Sequence, residues 1–389
     1  MLRLKKRKIL IFIGSLTSGG AERVTVSLSK YLARVKNFSV VVVTLNDTIH
    51  DFYTLDSRVK RIAMSMGGAT SGINKFTRNV QRLSAFRKIV KQEKPDLVLG
   101  MITRHAVLSI LACIGLSVKV VVSERNYPGK RKNHSMWEIL RKYVYRYADC
   151  HVVQTKKIEK WISTNTKSKK IYVIPNSIMW PLPSYEPVLY PNDYIEEDKN
   201  LILAVGSFKA QKGFDLLLEA MTGLLQQYPN WKLVILGGKV DESEDRTGLN
   251  LKEELKSLAA KNKIESQVIM PGKAGNVADW YDRADIFVLS SRFEGFPNVL
   301  LEAMASGTAS VSFDCDTGPG EMIVHEENGL LVAPFNILAL QNAVETLMND
   351  KILRQKLSVN AVETRKIFAE DEILASWSDV LDAVLEFKN

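Results

Sequence analysis

Short β-branched runs alternate along the chain with longer stretches whose apolar residues recur at helical spacing. In the first half the runs are KILIFI (8–13), SVVVVTL (39–45), RVKRIAM (58–64), DLVLGM (96–101), KVVVS (119–123), HVVQ (151–154) and IYVIP (171–175). Helical patterns fall between them at 20–35, 75–93, 134–147 and 156–164. The stretch from Met179 to Lys199 breaks both periods with its prolines (WPLPSYEPVLYPND, 180–193) and reads as a linker. The alternation restarts with LILAVG (201–206), LVILGG (233–238), SQVIMPG (266–272), DIFVLSS (285–291), ASVSF (309–313) and GLLV (329–332). Helices are expected there at 212–227 and 249–261. This alternation is the signature of parallel βαβ units, so the pattern predicts an α/β protein of two doubly wound, Rossmann-like domains. The first spans 1–185, a linker covers 186–199, the second spans 200–370, and residues 371–389 form a last helix crossing back onto the first domain. Ligands of such folds bind at the carboxyl ends of the strands, here in a cleft that the two domains face.

Composition agrees with two folded domains. The 389 residues are 46% hydrophobic and 25% charged, which excludes fibrous, collagen-like and disordered classes. Cys113, Cys150 and Cys315 are odd in number and lack C-x-x-C spacing, so a disulfide scaffold or zinc ribbon is not expected and a reducing compartment fits. The longest apolar stretch, Ala106 to Val118, has 13 residues, short of the ~20 that cross a bilayer. The start, MLRLKKRKILIFIGSL, has no small-residue cleavage site and reads as a first strand rather than an export signal. The expected location is cytoplasmic.

Charge divides the chain. Residues 1–185 carry +24 and residues 186–389 carry −14, within an overall +10. A basic half suits nucleic acid, an anionic membrane surface or a phosphorylated substrate, or is a solvated surface that helps the halves dock. No helix-turn-helix, RNA-recognition or zinc-finger spacing appears, so nucleic acid is not the expected partner.

Three loops carry candidate chemistry. In SLTSGGAER (15–23), Gly19 and Gly20 let a backbone approach a ligand, and the next helix offers N–H groups to an anion. It is not G-x-G-x-x-G, so a dinucleotide fingerprint is absent. In GSFKAQKG (206–213), Lys212 is expected at a helix start, an unfavourable place for a cation unless it faces an anion, and Lys209 reaches the same place. The third, SSRFEGFPNVLLEAMASG (290–307), places Glu294 and Gly295 in a turn and Pro297 in the first turn of a helix ending near Gly307. Amides of Asn298 and Val299 then face phosphate, while Glu294 and Glu302 accept hydrogen bonds from sugar hydroxyls.

These segments resemble glycosyltransferase family 4, retaining enzymes of the GT-B fold, over nearly the whole chain. The matching residues are GGAERV (19–24), VSERN (122–126), IPNS (174–177), VGSFKAQKGFDLLLEA (205–220), DWYDRADIFVLSSRFEGFPNVLLEAMASG (279–307) and DTGPGEMI (316–323). Within the family the chain looks most like bacterial O-antigen and exopolysaccharide enzymes that extend lipid-linked sugars. The resemblance implies that Glu302 holds the ribose hydroxyls of a nucleotide sugar, expected to be UDP-linked. Glu294 would contact the transferred hexose or N-acetylhexosamine, with the backbone of Gly295, Phe296 and Pro297 beside it. Amides of Asn298 and Val299 would bind the diphosphate, Gly20 would meet it from the other domain beside Gly19, and Lys212 would neutralise it. The backbone around Gly272 would read the base. No metal is expected. The family's usual arginine after Gly206 is Ser207 here, and Lys209, its nearest replacement, lacks the guanidinium fork. Thr308 and Ala309 replace a more usual proline.

On the acceptor side the resemblance points to Glu124 and Arg125 after a first-domain strand, and to His105 in a similar place after the preceding strand. The simpler reading of His105 is a surface helix residue. The acceptor class implied is an undecaprenyl-pyrophosphate-linked sugar at the inner face of the cytoplasmic membrane, with the protein peripheral. Arg3, Lys5, Lys6, Arg7 and Lys8, with Lys130 to Lys132, would meet the anionic leaflet. Other readings are a GT-B phosphorylase or epimerase, or a non-catalytic nucleotide-sugar-binding membrane partner.

Overall fold

A computed structural model of the chain describes residues 6–68, 74–130, 135–168, 170–238 and 251–386. Arg3, Lys5, Arg131 and Lys132 of the expected basic cluster, the first residue of the helix expected at 134–147 and the first two of the helix expected at 249–261 lie outside them. The chain divides into two units, Met1–Ser177 with Asp371–Asn389, and Ile178–Glu370.

The first unit holds β1 (Lys8–Ile13), α1 (Gly20–Arg34), β2 (Ser39–Thr44), β3 (Lys60–Ala63), α2 (Asn74–Glu93), β4 (Leu97–Met101), α3 (Ile102–Cys113), β5 (Lys119–Glu124), α4 (Ser135–Val144), β6 (Cys150–Val153), α5 (Lys156–Asn165) and β7 (Ile171–Val173). Its strands form one parallel sheet in the order β3-β2-β1-β4-β5-β6-β7. Alternate residues of β1 supply two cores: Ile9, Ile11 and Ile13 pack with α1 and the C-terminal helix, and Leu10 and Phe12 pack with α2, α3 and α4. Both faces of the central strands are covered, which is why β1, β2, β4 and β5 read as nearly unbroken apolar runs.

The second unit holds β8 (Asn200–Val205), α6 (Phe214–Gln227), β9 (Trp231–Leu236), α7 (Leu251–Lys261), β10 (Val268–Ile269), α8 (Val277–Arg283), β11 (Ile286–Leu289), α9 (Asn298–Ser306), β12 (Ala309–Phe313), β13 (Leu330–Val332), α10 (Ile337–Asn349), α11 (Lys351–Ala361) and α12 (Thr364–Ile367). Its parallel sheet runs β10-β9-β8-β11-β12-β13. The last helix, α13 (Glu370–Glu386), returns to the first unit, where Ile373, Trp377 and Leu381 are buried against the sheet.

Three expectations are corrected. Residues 178–199 belong to the second unit rather than to the end of the first domain and a free linker. Ile178 and Ile195 are buried there, Gly275 N donates to Pro187 O at 2.6 Å, and the Asn276 side chain bonds both the N–H and the C=O of Leu189 at 2.9 Å. The helix expected over 134–147 stops at Val144 and finishes as a 3₁₀ turn, Tyr145–Tyr147. Helix α3 lies where the sequence showed only an apolar stretch, because it is buried nearly all round and so has no polar face to set a period. Among the described residues no helix is long and apolar enough to cross a membrane.

Candidate functional site

Strand order reverses at β1/β4 in the first sheet and at β8/β11 in the second. The loops leaving those strands diverge to opposite sides, and the gap they leave is where a doubly wound sheet binds ligand.

In the second unit these are the loops 206–213 and 290–297. Lys212 lies in a 3₁₀ turn, Ala210–Lys212, one step before the helix expected to begin with it. Gly213 follows at φ +64° as the N-cap of α6, and a Cβ on it would stand 2.1 Å from Ser290 O, so conformation and space both require glycine. Ser290 Oγ donates to Lys212 O at 3.0 Å, tying one loop to the other. Arg292 strengthens the tie by bonding Ala210 O at 2.7 Å and clamping Asp215 through both terminal nitrogens. That pair holds the Asp215 carboxyl below, and the Arg292 guanidinium above, its usual range.

Held this way, Lys212 Nζ donates to Glu294 Oε1 at 2.7 Å, and Ser291 Oγ donates to the same oxygen at 2.7 Å. The side chains are 17% (Lys212) and 8% (Glu294) exposed. Thr317 Oγ1 donates to the Glu294 carbonyl. Gly295 and Phe296 complete the turn, Phe296 packing edge-on against Phe368. Pro297 is the N-cap of α9 rather than its first helical residue, and Gly307 closes the helix at φ +79°. The amides of the first turn, beginning with Asn298 and Val299, point along the helix axis toward its N-terminal end. One turn on, Glu302 is buried and its Oε2 accepts from the Tyr281 hydroxyl at 3.3 Å. Ser207 and Lys209 are half-buried in the first loop. Gly272, at φ +121°, follows β10 on the same sheet edge, and its carbonyl accepts from Gly237 N at 2.8 Å. The structure thus brings Lys212 and Glu294 into one ion pair beside the start of a helix.

In the first unit Gly19 is the N-cap of α1 and Gly20 its first residue. A Cβ on Gly19 would lie 2.0 Å from the Glu22 carboxylate, so the glycine also makes room for the helix's own acid. His105 is a buried residue of α3, not a surface one. Its Nδ1 meets Met101 O at 3.2 Å, its ring stands edge-on to Phe12 at 5.0 Å, and Gly14 gives it room. Burial, with the Arg104 charge, pushes its pKa down to about 3, so it is neutral. The turn into α3 carries Ile102 at φ +65°, a strained setting for a β-branched residue at a sheet switch point.

The acceptor-side expectation for Glu124 is corrected. Its carboxylate is buried and accepts from Thr103 Oγ1 at 2.9 Å and the Tyr145 hydroxyl at 2.8 Å, with Arg141 at 3.8 Å. Burial raises its pKa despite these partners. The signal was in the sequence: Glu124 shares the period-two face of Val120 and Val122, which packs inward under α3 and α4. Arg125 is buried over the Trp377 ring at 6.0 Å and donates to Asn176 Oδ1, while its Nε has no hydrogen-bond partner among the described residues. Burial lowers its pKa to about 9.

Sequence reasoning missed Ser291, Arg292, Thr317 and Tyr281 as supports. It also missed a cavity of about 270 Å³ at the carboxyl ends of β1, β2 and β3, lined by Ser15, Thr17, Asn46, Asp47, His50 and Asp51 among others.

Comparison with known proteins matches this division. A family model described as Glycosyltransferase Family 4 covers residues 18–178, and one described as Glycosyl transferases group 1 covers residues 191–364. A relative from Campylobacter jejuni, named GalNAc-alpha-(1->4)-GalNAc-alpha-(1->3)-diNAcBac-PP-undecaprenol alpha-1,4-N-acetyl-D-galactosaminyltransferase, is 26% identical over 98% of this chain and 99% of its own. The amylovoran biosynthesis glycosyltransferase AmsD of Erwinia amylovora is 27% identical over 96% of this chain and 99% of its own. The crystal structure of HepE from Anabaena in complex with UDP and glucose superposes with a TM-score of 0.76 at 18% identity, covering 97% of this chain and 99% of that one. The two models together span most of the sequence, and the chain belongs to glycosyltransferase family 4, as a hexosyltransferase of the GT-B fold.

Proposed function

We propose that the protein moves a hexose or N-acetylhexosamine, with retention of configuration, from a UDP-linked sugar to a hydroxyl of a lipid-linked oligosaccharide in bacterial surface polysaccharide synthesis. The observation that carries this reading is the Lys212–Glu294–Ser291 cluster beside the N-terminus of α9, at the switch point of the second sheet. A cation and a helix dipole there suit a diphosphate, and adjacent carboxylates suit hydroxyls. The HepE complex with UDP and glucose, and the undecaprenol-linked acceptor in the Campylobacter relative's name, support the donor and acceptor classes.

In this reading Lys212 and the first amides of α9 hold the diphosphate, Glu302 takes the ribose hydroxyls, and Glu294 orients the transferred sugar. The bond from the anomeric carbon to the diphosphate oxygen breaks as the acceptor oxygen bonds to the same face. The acceptor proton passes to the departing phosphate, whose charge Lys212 and the helix stabilise without a metal ion. We assign the acceptor's sugar to the polar cavity of the first unit. Two of the ten acids in residues 1–185, Asp47 and Asp51, line it, an arrangement that suits neutral hydroxyls rather than phosphate.

Calorimetric titration of UDP, GDP and ADP into wild type and Glu302→Ala tests the donor site. One nucleotide should bind the wild type and lose at least tenfold in the variant, on the order expected for a lost charge-assisted pair of hydrogen bonds. Binding of none, or equal binding to both proteins, would overturn the assignment.

A further inference from the structure

Neighbouring serines just after β11 serve the two halves of the ion pair separately. Ser290 Oγ holds the carbonyl of Lys212, and Ser291 Oγ holds the carboxylate of Glu294. Both serines are buried. The main chain of the turn between them and α9 is fixed from two sides. Gln211 O accepts from Arg292 N at 2.8 Å, and Gln211 Nε2 donates to Phe293 O at 2.9 Å. From the other side Thr317 Oγ1 donates to Glu294 O. Gly318, at φ +100°, lies so close to the turn that a Cβ on it would stand 2.4 Å from Pro297 Cδ. The freedom left to Glu294 is therefore in its side-chain torsions, and two donors control it.

Those donors, Lys212 Nζ and Ser291 Oγ, both lie 2.7 Å from the same oxygen, Oε1. Oε2 has no partner among the described residues and is not sealed from solvent. The carboxylate thus keeps one oxygen for the protein and offers the other to a ligand. The two donors respond differently to an anion. Lys212 is a cation on a flexible stem, 17% exposed, and a diphosphate would draw it off. Ser291 is neutral, 1% exposed, and sits on the clamped turn itself, three residues from Glu294. A serine that only completed a turn would bond a main-chain group, whereas this hydroxyl is spent on the carboxylate.

We propose that Ser291 is a positioning residue for sugar transfer: it keeps Glu294 Oε1 in place after Lys212 turns to the diphosphate, so that Oε2 still faces the transferred sugar. The inference deepens the donor-site reading and rests on it. A hydrogen bond to a charged group is stronger than one between neutral partners, and a carboxylate left without a donor beside an incoming diphosphate would swing away from the sugar.

Two measurements on the full chain test it. One is calorimetry with UDP, and the other is release of UDP in water from UDP-glucose, UDP-galactose, UDP-N-acetylglucosamine and UDP-N-acetylgalactosamine. In the second, water takes the acceptor's place, and each turnover yields UDP and the free sugar. With the donor of these that wild type turns over fastest, Ser291→Ala should lower kcat at least about tenfold, on the order of one charge-assisted hydrogen bond. KM for that donor and Kd for UDP should stay within about threefold, because the nucleotide contacts that carry ground-state binding lie elsewhere. Added to Glu294→Ala, the same substitution should change kcat by less than about twofold, because nothing remains to be positioned. Equal kcat in wild type and Ser291→Ala, or losses that add in the double variant, would overturn the proposal. So would a fall in UDP binding that matches the fall in kcat, which would make Ser291 a support of the loop as a whole. Wild type that binds UDP but releases it from none of these donors would also overturn it, since no sugar would be held for Glu294 to orient. The donor-site reading fails on a different result, UDP binding that is absent or indifferent to Glu302→Ala, so the two failures are distinguishable.

Discussion

Glu294→Gln should tighten UDP binding while Lys212→Met weakens it, although the two residues form one ion pair. Lys212 Nζ lies 2.7 Å from Glu294 Oε1 with both side chains largely buried. Two unit charges about 4 Å apart interact with roughly 4 kcal/mol at an effective dielectric constant near 20. A diphosphate that contacts Lys212 must share it with the carboxylate and lies about twice as far from that carboxylate. The repulsion is then roughly 2 kcal/mol before screening and about 1 kcal/mol after it. Neutralising Glu294 keeps a hydrogen-bond acceptor for Lys212 and removes the repulsion, so UDP should bind about three- to tenfold more tightly. Lys212→Met keeps an apolar stem over Gly206 and removes the charge. That loss, about 1.5–3 kcal/mol for a charged hydrogen bond, weakens UDP roughly ten- to hundredfold. UDP rather than a UDP-sugar is the right ligand, because Glu294 is assigned to the sugar and its loss there would confound the result. Sugar transfer should fall in both variants. Calorimetry with UDP at two salt concentrations reads the effect. Weaker UDP binding by Glu294→Gln would refute the electrostatic argument, because the carboxylate would then be helping to hold the nucleotide.

Three further outcomes follow from the geometry. Gly213→Ala forces a Cβ to within 2.1 Å of Ser290 O at φ +64°, and should cost about 3 kcal/mol and accelerate hydrogen exchange across α6; unchanged exchange and melting would contradict it. His105 and His151 are both pushed down to about 3 by burial, so below pH 6.5 the unfolded chain takes up protons that the folded chain refuses. Their stabilisation is full above pH 6.5 and is lost as pH falls toward 3, by up to about 1.4 kcal/mol per pH unit for each; urea unfolding at pH 7.5, 5.5 and 4.5 should show it, and His105→Gln/His151→Gln should flatten the profile. Asp47→Ala should raise KM for the acceptor several-fold, on the order of one lost hydrogen bond, and leave the Kd for UDP unchanged; a parallel loss of UDP binding would move that cavity to the donor side.

The central strands were legible because they are covered on both faces, which leaves an apolar run such as KILIFI where a half-exposed strand would alternate. The same burial hid α3, whose Ala106, Val107, Leu108 and Ile110 are inside together with His105 and Ser109. The prolines of 181–191 showed irregular backbone correctly, but a composition signal cannot say which unit holds it; the Asn276 amide that brackets Leu189 is 87 positions away. Glu124 and Arg125 lie at the expected end of the expected strand, but both side chains are buried: Glu124 under α3 and α4, on the face that strand parity gives it, and Arg125 over Trp377.

The donor loops show why motif spacing found residues but not their relation. Lys212 and Glu294 lie 82 positions apart and meet because β8 and β11 are neighbours at a reversal of strand order. Spacing within one loop cannot show that, so each was assigned a separate partner. Net charge misleads in the same way. The acidic half carries Lys212 on its ligand-facing loops, and the strongly basic half lines a cavity with Asp47 and Asp51. Charge summed over a domain governs what approaches it across solvent, whereas the site is set by the few groups that a sheet edge brings within hydrogen-bond distance.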